Sequence, residues 1–480
     1  MANAQENDSF NWYEIFVYSY QDSNGDGIGD LNGVRARLDY IEDMGYDGLW
    51  LMPIMPSPSY HKYDVTDYKA IDPQYGTMDD MRALVQECHA RGIRIIIDLP
   101  INHTSLRHPW FLSAAESLQK RKEDSPYIDY YHFSKESGSK FVQLNGTKWY
   151  YEEQFSGGGM PDLNLDNEAV LAEIRDIMVF WLQDVGVDGF RLDAVTSYYT
   201  GDTGRNIRFL NWLKATAEEI KPGSYLVGEA WVGLQTIGEY YQSDIDSFFL
   251  FPVSQAEGYI AKAIRARKPA AEFVKGMEQL EASIPEGIWA PFLGNHDTGR
   301  AVGSLQARQA PERAKFAEGL VNIMGGNTFT YYGEEIGMVG SGDDPNKRLA
   351  MYWNDQDMTT QPPGVTKVEY FFPSVDEQMK DPLSILNYCK AVNWAKKRTP
   401  TIARGKNTFL HSDSTTCLMQ RTLENNTCYI AINFSAKATA EIALPLDNLS
   451  IVSDLEVGTD HATLSGTTIT LPPYAIVILE

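Results

Sequence analysis

The chain has 480 residues, 41 Lys+Arg against 65 Asp+Glu for a net charge of −24, and 43% hydrophobic residues. This length points to two or three domains, of which a barrel of about 250 residues can be one. The acidic excess repels nucleic acid and anionic lipid, no apolar stretch approaches the roughly 20 residues of a membrane span, and the start MANAQENDSF carries no visible signal peptide, so localisation stays open between cytoplasmic and secreted.

In chain order, short apolar runs alternate with helical stretches. Strands are expected near Tyr13–Tyr20, Gly48–Pro53, Arg94–Leu99, Gly189–Ala194, Tyr225–Ala230, Ser247–Pro252, Ile288–Asn295 and Thr328–Tyr332. Strands separated by helices pair in parallel, and eight of them close a barrel. Directly after the first run, DSNGDGIGD (22–30) places side-chain oxygens at Asp22, Asn24, Asp26 and Asp30 and the carbonyl of Ile28 at the ligand positions of an EF-hand loop, with Gly27 at the sharp turn. Gly33 stands where an EF-hand has its bidentate Glu, and a strand precedes the loop, so this is no EF-hand. The alternation of oxygen donors still predicts a calcium ion, Ca2+, in a stabilising role. Further on, Thr77 caps a helix with Asp80 three residues later, an apolar stripe at Met81, Leu84, Val85 and Cys88 follows, and Gly92 ends it.

Residues 101–165, rich in Tyr, Ser, Gly and charge, are too long for an ordinary loop and read as a subdomain inserted after the third strand. The barrel is then expected over 1–100 and 166–398. From 399 to 480 the pattern changes to alternating strands with polar turns, which predicts a C-terminal antiparallel β-sandwich. Cys88, Cys389, Cys417 and Cys428 show no CxxC spacing and are expected as free thiols. Cys417 and Cys428 flank an expected hairpin turn at Glu424–Asn426 that does not set them opposite one another.

Three acids end three of the strand runs: Asp193 in GFRLDA, Glu229 in YLVGEAW and Asp297 in FLGNHD. In a parallel barrel these strand ends converge on one face. Three such acids, with no HExxH-like set among the histidines and with acids in GDGIGD where a phosphate would have to approach, point away from a metal hydrolase or dinucleotide enzyme. They fit acid-assisted cleavage of a glycosidic bond, which needs a carboxylate nucleophile and a protonated partner. Side chains alternate along a strand, so Arg191 and Asp193 share a side, and the guanidinium holds the carboxylate ionised.

With DLPINH (98–103), MPDLN (160–164), GFRLDA, GEAW and NHD in this order, the sequence resembles the α-amylase family of glycoside hydrolases over nearly its whole length. The resemblance implies a (β/α)8 TIM barrel with an inserted subdomain and a C-terminal sandwich. It implies Asp193 as nucleophile, Glu229 as general acid/base and Asp297 as transition-state stabiliser, with His103, Arg191 and His296 around the reacting glucose. Tyr63 and Asp64, in HKYDVTDY, sit where the family has a stacking aromatic and its neighbour, and Arg348 resembles the arginine that pairs with this aspartate in exo-acting relatives. The 22–30 loop looks like the calcium loop after the first barrel strand in α-glucosidase-like members. Ala194, after the nucleophile, is similar to many α-1,4-acting members where α-1,6 enzymes often have Val. The run Ala194-Val195-Thr196-Ser197 lacks the Lys and His that often follow in amylases, so Asn102 and Asp162 are assigned to no metal. The expected activity is hydrolysis of α-1,4 bonds in starch or maltooligosaccharides by a monomer. The alternatives are an exo-acting α-glucosidase, an oligo-1,6-glucosidase, a glucanotransferase or a non-catalytic amylase-like binding module.

Overall fold

The computed structural model describes residues 10–155 and 157–480. Eight parallel strands, β1 (Asn11–Ile15), β2 (Gly48–Leu51), β3 (Arg94–Leu99), β4 (Gly189–Leu192), β5 (Tyr225–Gly228), β6 (Ser247–Phe249), β7 (Ile288–Ala290) and β8 (Thr328–Tyr331), lie side by side in chain order, with β8 against β1. A parallel bridge from Phe292, just past β7, to Phe329 on β8 closes the ring into a (β/α)8 barrel. Helices fill the crossovers as their caps dictate. In α1 (Met78–Ala90), Thr77 accepts from the Asp80 N–H while the Asp80 carboxylate accepts from the Thr77 N–H at 2.8 Å, a reciprocal cap whose removal costs about 1 kcal/mol.

The first strand is shorter than its apolar run. β1 stops at Ile15, and Val17–Ser19 forms a 3-10 turn that is equally buried. The loop that follows folds back onto this turn: the Gly29 N–H donates to Tyr18 O at 2.8 Å, and a Cβ at Gly29 would stand 1.9 Å from Val17 O. The runs at β6 and β7 also overshoot, because Phe251 and Phe292 lie beyond the paired strands yet remain in the core.

The barrel interior is apolar, as the strand alternation requires. Trp12, Trp50, Ile96, Val227, Phe249, Ala290 and Phe329 project from seven of the strands into one cluster. From β4 comes Arg191, with its guanidinium 5.3 Å above the Trp50 ring. Gly189 opens β4 at φ +151°, where a Cβ would lie 1.8 Å from the Tyr225 carbonyl oxygen, so only glycine lets β4 and β5 approach there.

Between β3 and β4 the chain forms a helix (Pro109–Gln119) and a small antiparallel sheet of Phe133–Ser134, Phe141–Gln143 and Tyr150–Glu152. This insertion is fastened back to the barrel where Leu163 N donates to Asn102 O at 2.9 Å and Thr104 N to Pro161 O at 3.1 Å. The DLPINH and MPDLN segments therefore lie alongside one another. The C-terminal part is a sandwich of a five-stranded and a three-stranded antiparallel sheet closing on Leu418, Ala431, Ile442, Ile469, Leu471 and Val477. Its hairpin turns at Glu424, φ +54°, with Leu423 opposite Asn426. Cys417 faces Ile432 and Cys428 faces Arg421, and all four cysteines are free and buried.

The loop after β1 is tied to the segment after β8. Thr360 donates to Gly27 O from its N–H at 2.7 Å and its hydroxyl at 2.8 Å. Ser19 Oγ donates to Arg348 O at 2.7 Å, and Trp353 Nε1 to Tyr20 O at 2.7 Å. Among the described residues no helix is long and apolar enough to cross a membrane.

Candidate active site

At the carboxyl ends of the strands lies a cavity of about 450 Å³ whose walls include Tyr63, His103, Asp193, Glu229, Asp297 and Arg348. Its floor is organised by Arg191. Register sets Asp98 of β3 beside Arg191 of β4, and neighbouring residues of parallel strands point the same way. Arg191 Nη1 donates to Asp98 at 2.9 Å and to Asp193 at 2.5 Å, while Nη2 lies 3.2 Å from Glu229 Oε2. One buried guanidinium thus meets three carboxylates above an apolar barrel core, where such charges persist only when paired.

The acids differ in their surroundings. Burial pushes the Glu229 carboxyl up to about 8, with Arg191 opposing and the Asp193 and Asp297 charges adding to the rise. Burial also works to raise Asp297, but His296, then Arg348 and Arg191, overcome it and hold Asp297 well below the usual carboxylate range. His296 itself is fully buried; burial favours the neutral ring, but Asp297 and Glu14 raise it to about 10. Its Nδ1 meets the carboxylate of Glu14, and its Nε2 lies 3.0 Å from Asp297 Oδ2 and 2.7 Å from the Tyr63 hydroxyl. Glu14, one residue before the end of β1, is a site residue that the motifs did not mark. A lone acid in the apolar run WYEIF is itself a signal, because a buried charge needs a partner.

Ala194 follows Asp193 at φ +47°, a left-handed conformation that costs a non-glycine residue about 1–2 kcal/mol. The strained turn aims the Ala194 N–H at Glu229 Oε2, 2.9 Å away. His103, at the edge of the insertion, bonds the Tyr63 carbonyl through Nε2 at 3.2 Å.

Asp64 and Arg348 are arranged differently from the expectation that they pair. No ion pair joins them. Asp64 is buried and accepts from the hydroxyls of Ser57, at 2.6 Å, and Ser59, and it does not line the cavity. Arg348 turns to Asp297 at 3.1 Å and to Asp344 at 2.7 Å. The two serines satisfy Asp64 locally, and the β8 segment delivers a nearer acid, Asp344, to the arginine. The cavity wall also includes His61, Met160 and Trp231, quoted in the motifs but given no role, and Phe155, Asp344 and Lys347, which the sequence did not mark. Phe155 and Trp231 are 40% and 50% exposed, and Trp231 is stacked on Phe251 at 4.7 Å. Exposed aromatic rings at a cavity wall offer a broad apolar face to whatever enters it.

The 22–30 loop is wound by its own side chains. Asp22 accepts from the N–H groups of Asn24, Gly25 and Gly27 at 2.7–2.9 Å, Asn24 from Asp26, and Asp26 from Ile28. Burial opposes, but these N–H groups lower the Asp22 carboxyl. The Ile28 carbonyl accepts no hydrogen bond among the described residues, and Gly27 turns at φ +90°. Asp30 differs in being engaged already, by Ser23 and by the Gly33 N–H of the helix it caps. The set is all oxygen, which suits a hard cation.

The family model described as Alpha amylase, catalytic domain, matches residues 14–405. Alpha-amylase 3 of Dictyoglomus thermophilum is 39% identical over 409 residues, covering 82% of this chain and 78% of that protein. An oligo-1,6-glucosidase of Parageobacillus thermoglucosidasius is 29% identical, with 88% and 90% covered. Among solved structures, Eubacterium rectale Amy13B superposes with a TM-score of 0.95 at 43% identity, covering 99% of this chain and 96% of that one. The α-amylase from H. orenii gives 0.86 at 34% identity, with 98% and 99% covered. With a barrel, an insertion and a sandwich in place, and three acids gathered on one arginine, the chain belongs to the α-amylase family of glycoside hydrolases.

Proposed function

We propose that the enzyme hydrolyses α-1,4 bonds of starch and maltooligosaccharides with retention of configuration, and that Asp193, Glu229 and Asp297 carry the reaction. The observation that carries this reading is Arg191, which meets Asp193 and Glu229 together. Asp193, held by the guanidinium, attacks the anomeric carbon. Glu229, kept protonated near neutrality by its burial, delivers a proton to the leaving oxygen, and in the second half of the cycle its carboxylate takes a proton from water as the glycosyl ester is cleaved. Asp297, anionic between His296 and Arg348, accepts hydrogen bonds from sugar hydroxyls, which strengthen as positive charge grows on the ring. Tyr63 offers the reacting sugar an aromatic face.

Support for the α-1,4 linkage comes from Ala194 and from the amylases at 34–39% identity. The exo-acting reading leaned on an Asp64–Arg348 pair, and with Arg348 turned to Asp297 and Asp344 that support falls away. Chromatography of products from soluble starch, pullulan, maltotriose and isomaltose tests the assignment. The expected result is a spread of maltooligosaccharides from starch and little action on isomaltose. Glucose alone from isomaltose, with starch untouched, would overturn it.

The 22–30 loop is assigned to calcium, held by Asp22, Asn24, Asp26, Asp30 and the Ile28 carbonyl. An ion held there would neutralise Asp22, Asp26 and Asp30 in a loop already braced by Thr360. Saturating calcium at about 100 times its Kd should add about 2.7 kcal/mol of stability. Calorimetry should accordingly show a higher Tm in calcium than in chelator, and equal melting temperatures would remove the assignment.

A further inference from the structure

His296 is met by acceptors on both sides of its ring. Tyr63 donates its hydroxyl proton to Asp98 Oδ2 at 3.1 Å, so it is the hydroxyl oxygen that faces His296 Nε2 at 2.7 Å. Asp297 Oδ2 stands 3.0 Å from the same nitrogen, and the Glu14 carboxylate meets Nδ1. Carboxylates, and a hydroxyl whose proton is spent, can only accept. The ring therefore carries a proton on each nitrogen, and geometry alone makes it an imidazolium.

The two acids that share this cation stand in different places. Asp297 lines the cavity, and its side chain is 30% exposed. Glu14 lies behind the ring, buried on β1 between Trp50 of β2 and Tyr331 of β8, and does not line the cavity. Among the described residues His296 is its one ion-pair partner. Glu334 and Tyr331 sense the Glu14 charge from the β8 side but bring no positive charge to it, and Arg300 there is spent on Glu334 and the Tyr331 ring. The ring is faced from its other sides by Asp98 and Tyr63, with Arg348 beyond Asp297. A carboxylate buried so deeply persists only beside its cation, and the same attraction favours the protonated ring.

Resting on the reading of Asp297 as the stabiliser of the transition state, we infer that Glu14 is a positioning residue for the reaction. Without touching substrate, it fixes His296 as a cation whose Nε2–H holds Asp297 ionised and aimed at the reacting sugar.

The charge can be read by nitrogen NMR of histidine-labelled enzyme, with the His296 signal identified by its loss in His296→Ala. In the parent both ring nitrogens should stay protonated at neutral pH and above, since Asp297 and Glu14 overcome burial and raise the ring to about 10. Glu14→Gln keeps the shape, but its amide can donate to a bare Nδ1 as readily as its oxygen accepts from a protonated one. The ring of that variant should release a proton at lower pH than the parent. Its kcat/KM on 4-nitrophenyl α-maltoside, whose leaving group needs little protonation, should then fall behind the parent as pH rises. The deficit should grow about tenfold between acid and alkaline pH, as a charge-assisted hydrogen bond to Asp297 gives way to a neutral one. Glu14→Asp, which keeps the charge, should restore part of the alkaline rate. A parent ring with a single proton at neutral pH, or a Glu14→Gln deficit that does not change with pH, would overturn the proposal and leave the three catalytic acids in place. A parent enzyme with His296 charged as expected but inactive on the maltoside and on maltooligosaccharides would instead sink the reading of Asp297, and this inference with it.

Discussion

Asp193→Asn should lose turnover of maltooligosaccharides by about 10⁴-fold or more, the scale seen when a covalent nucleophile is removed. The amide keeps the shape of the carboxylate, and its oxygen can still accept from Arg191 Nη1, so the fold should survive and the Tm should stay within a few degrees. The change also withdraws one of the negative charges that raise Glu229, while Arg191 remains. Residual activity should therefore titrate at lower pH than in the parent enzyme. Rapid-quench measurements with an aryl maltoside check both effects, and a rate like that of the parent would refute the assignment.

The second large effect belongs to Glu229→Gln. Loss of a general acid costs about 10²–10⁴-fold on a sugar leaving group, which cannot depart without a proton, and far less on a nitrophenolate, which can. Because Glu229 works protonated and burial raises it to about 8, kcat/KM of the parent should decline as pH rises through that value, and this alkaline limb should vanish in the variant. Equal losses for starch and aryl glycosides in the bond-cleaving step, or an alkaline limb that persists, would place the acid elsewhere.

The sequence was most legible where one residue's chemistry and its strand period agreed. The runs ending in Asp193, Glu229 and Asp297 could be placed because buried parallel strands are short and apolar, and the acids interrupt them at the loop. The end of the first strand was not legible. Val17, Tyr18 and Ser19 are as buried as the strand before them, and burial alone does not separate an extended chain from a 3-10 turn. The partners of Arg348 were illegible for a different reason. The resemblance pointed to Asp64 alone, whereas Ser57 and Ser59 take up that carboxylate and Asp344 comes to the arginine, contacts that only the folded chain reveals. Phe155 escaped notice, and Trp231 was read only as part of GEAW, because aromatic residues are usually core and nothing local marks the ones left exposed.

The closure of the barrel has a bearing on how the enzyme is made. Glu14 on the first strand meets His296 after the seventh, and the first strand's neighbour is the eighth. A ribosome extending this chain releases the amino-terminal strands long before their last partners, and contacts so distant in sequence are slow to form. Glu14 meets His296 only once the chain beyond β7 has been made and brought round to the first strand, and Thr360, which braces the loop at Gly27, is made later still. A half-made chain that closed on its own apolar core would bury Glu14 without this partner, at the cost that attends an unpaired buried charge. Closing the ring thus also brings Glu14 against the histidine that holds Asp297.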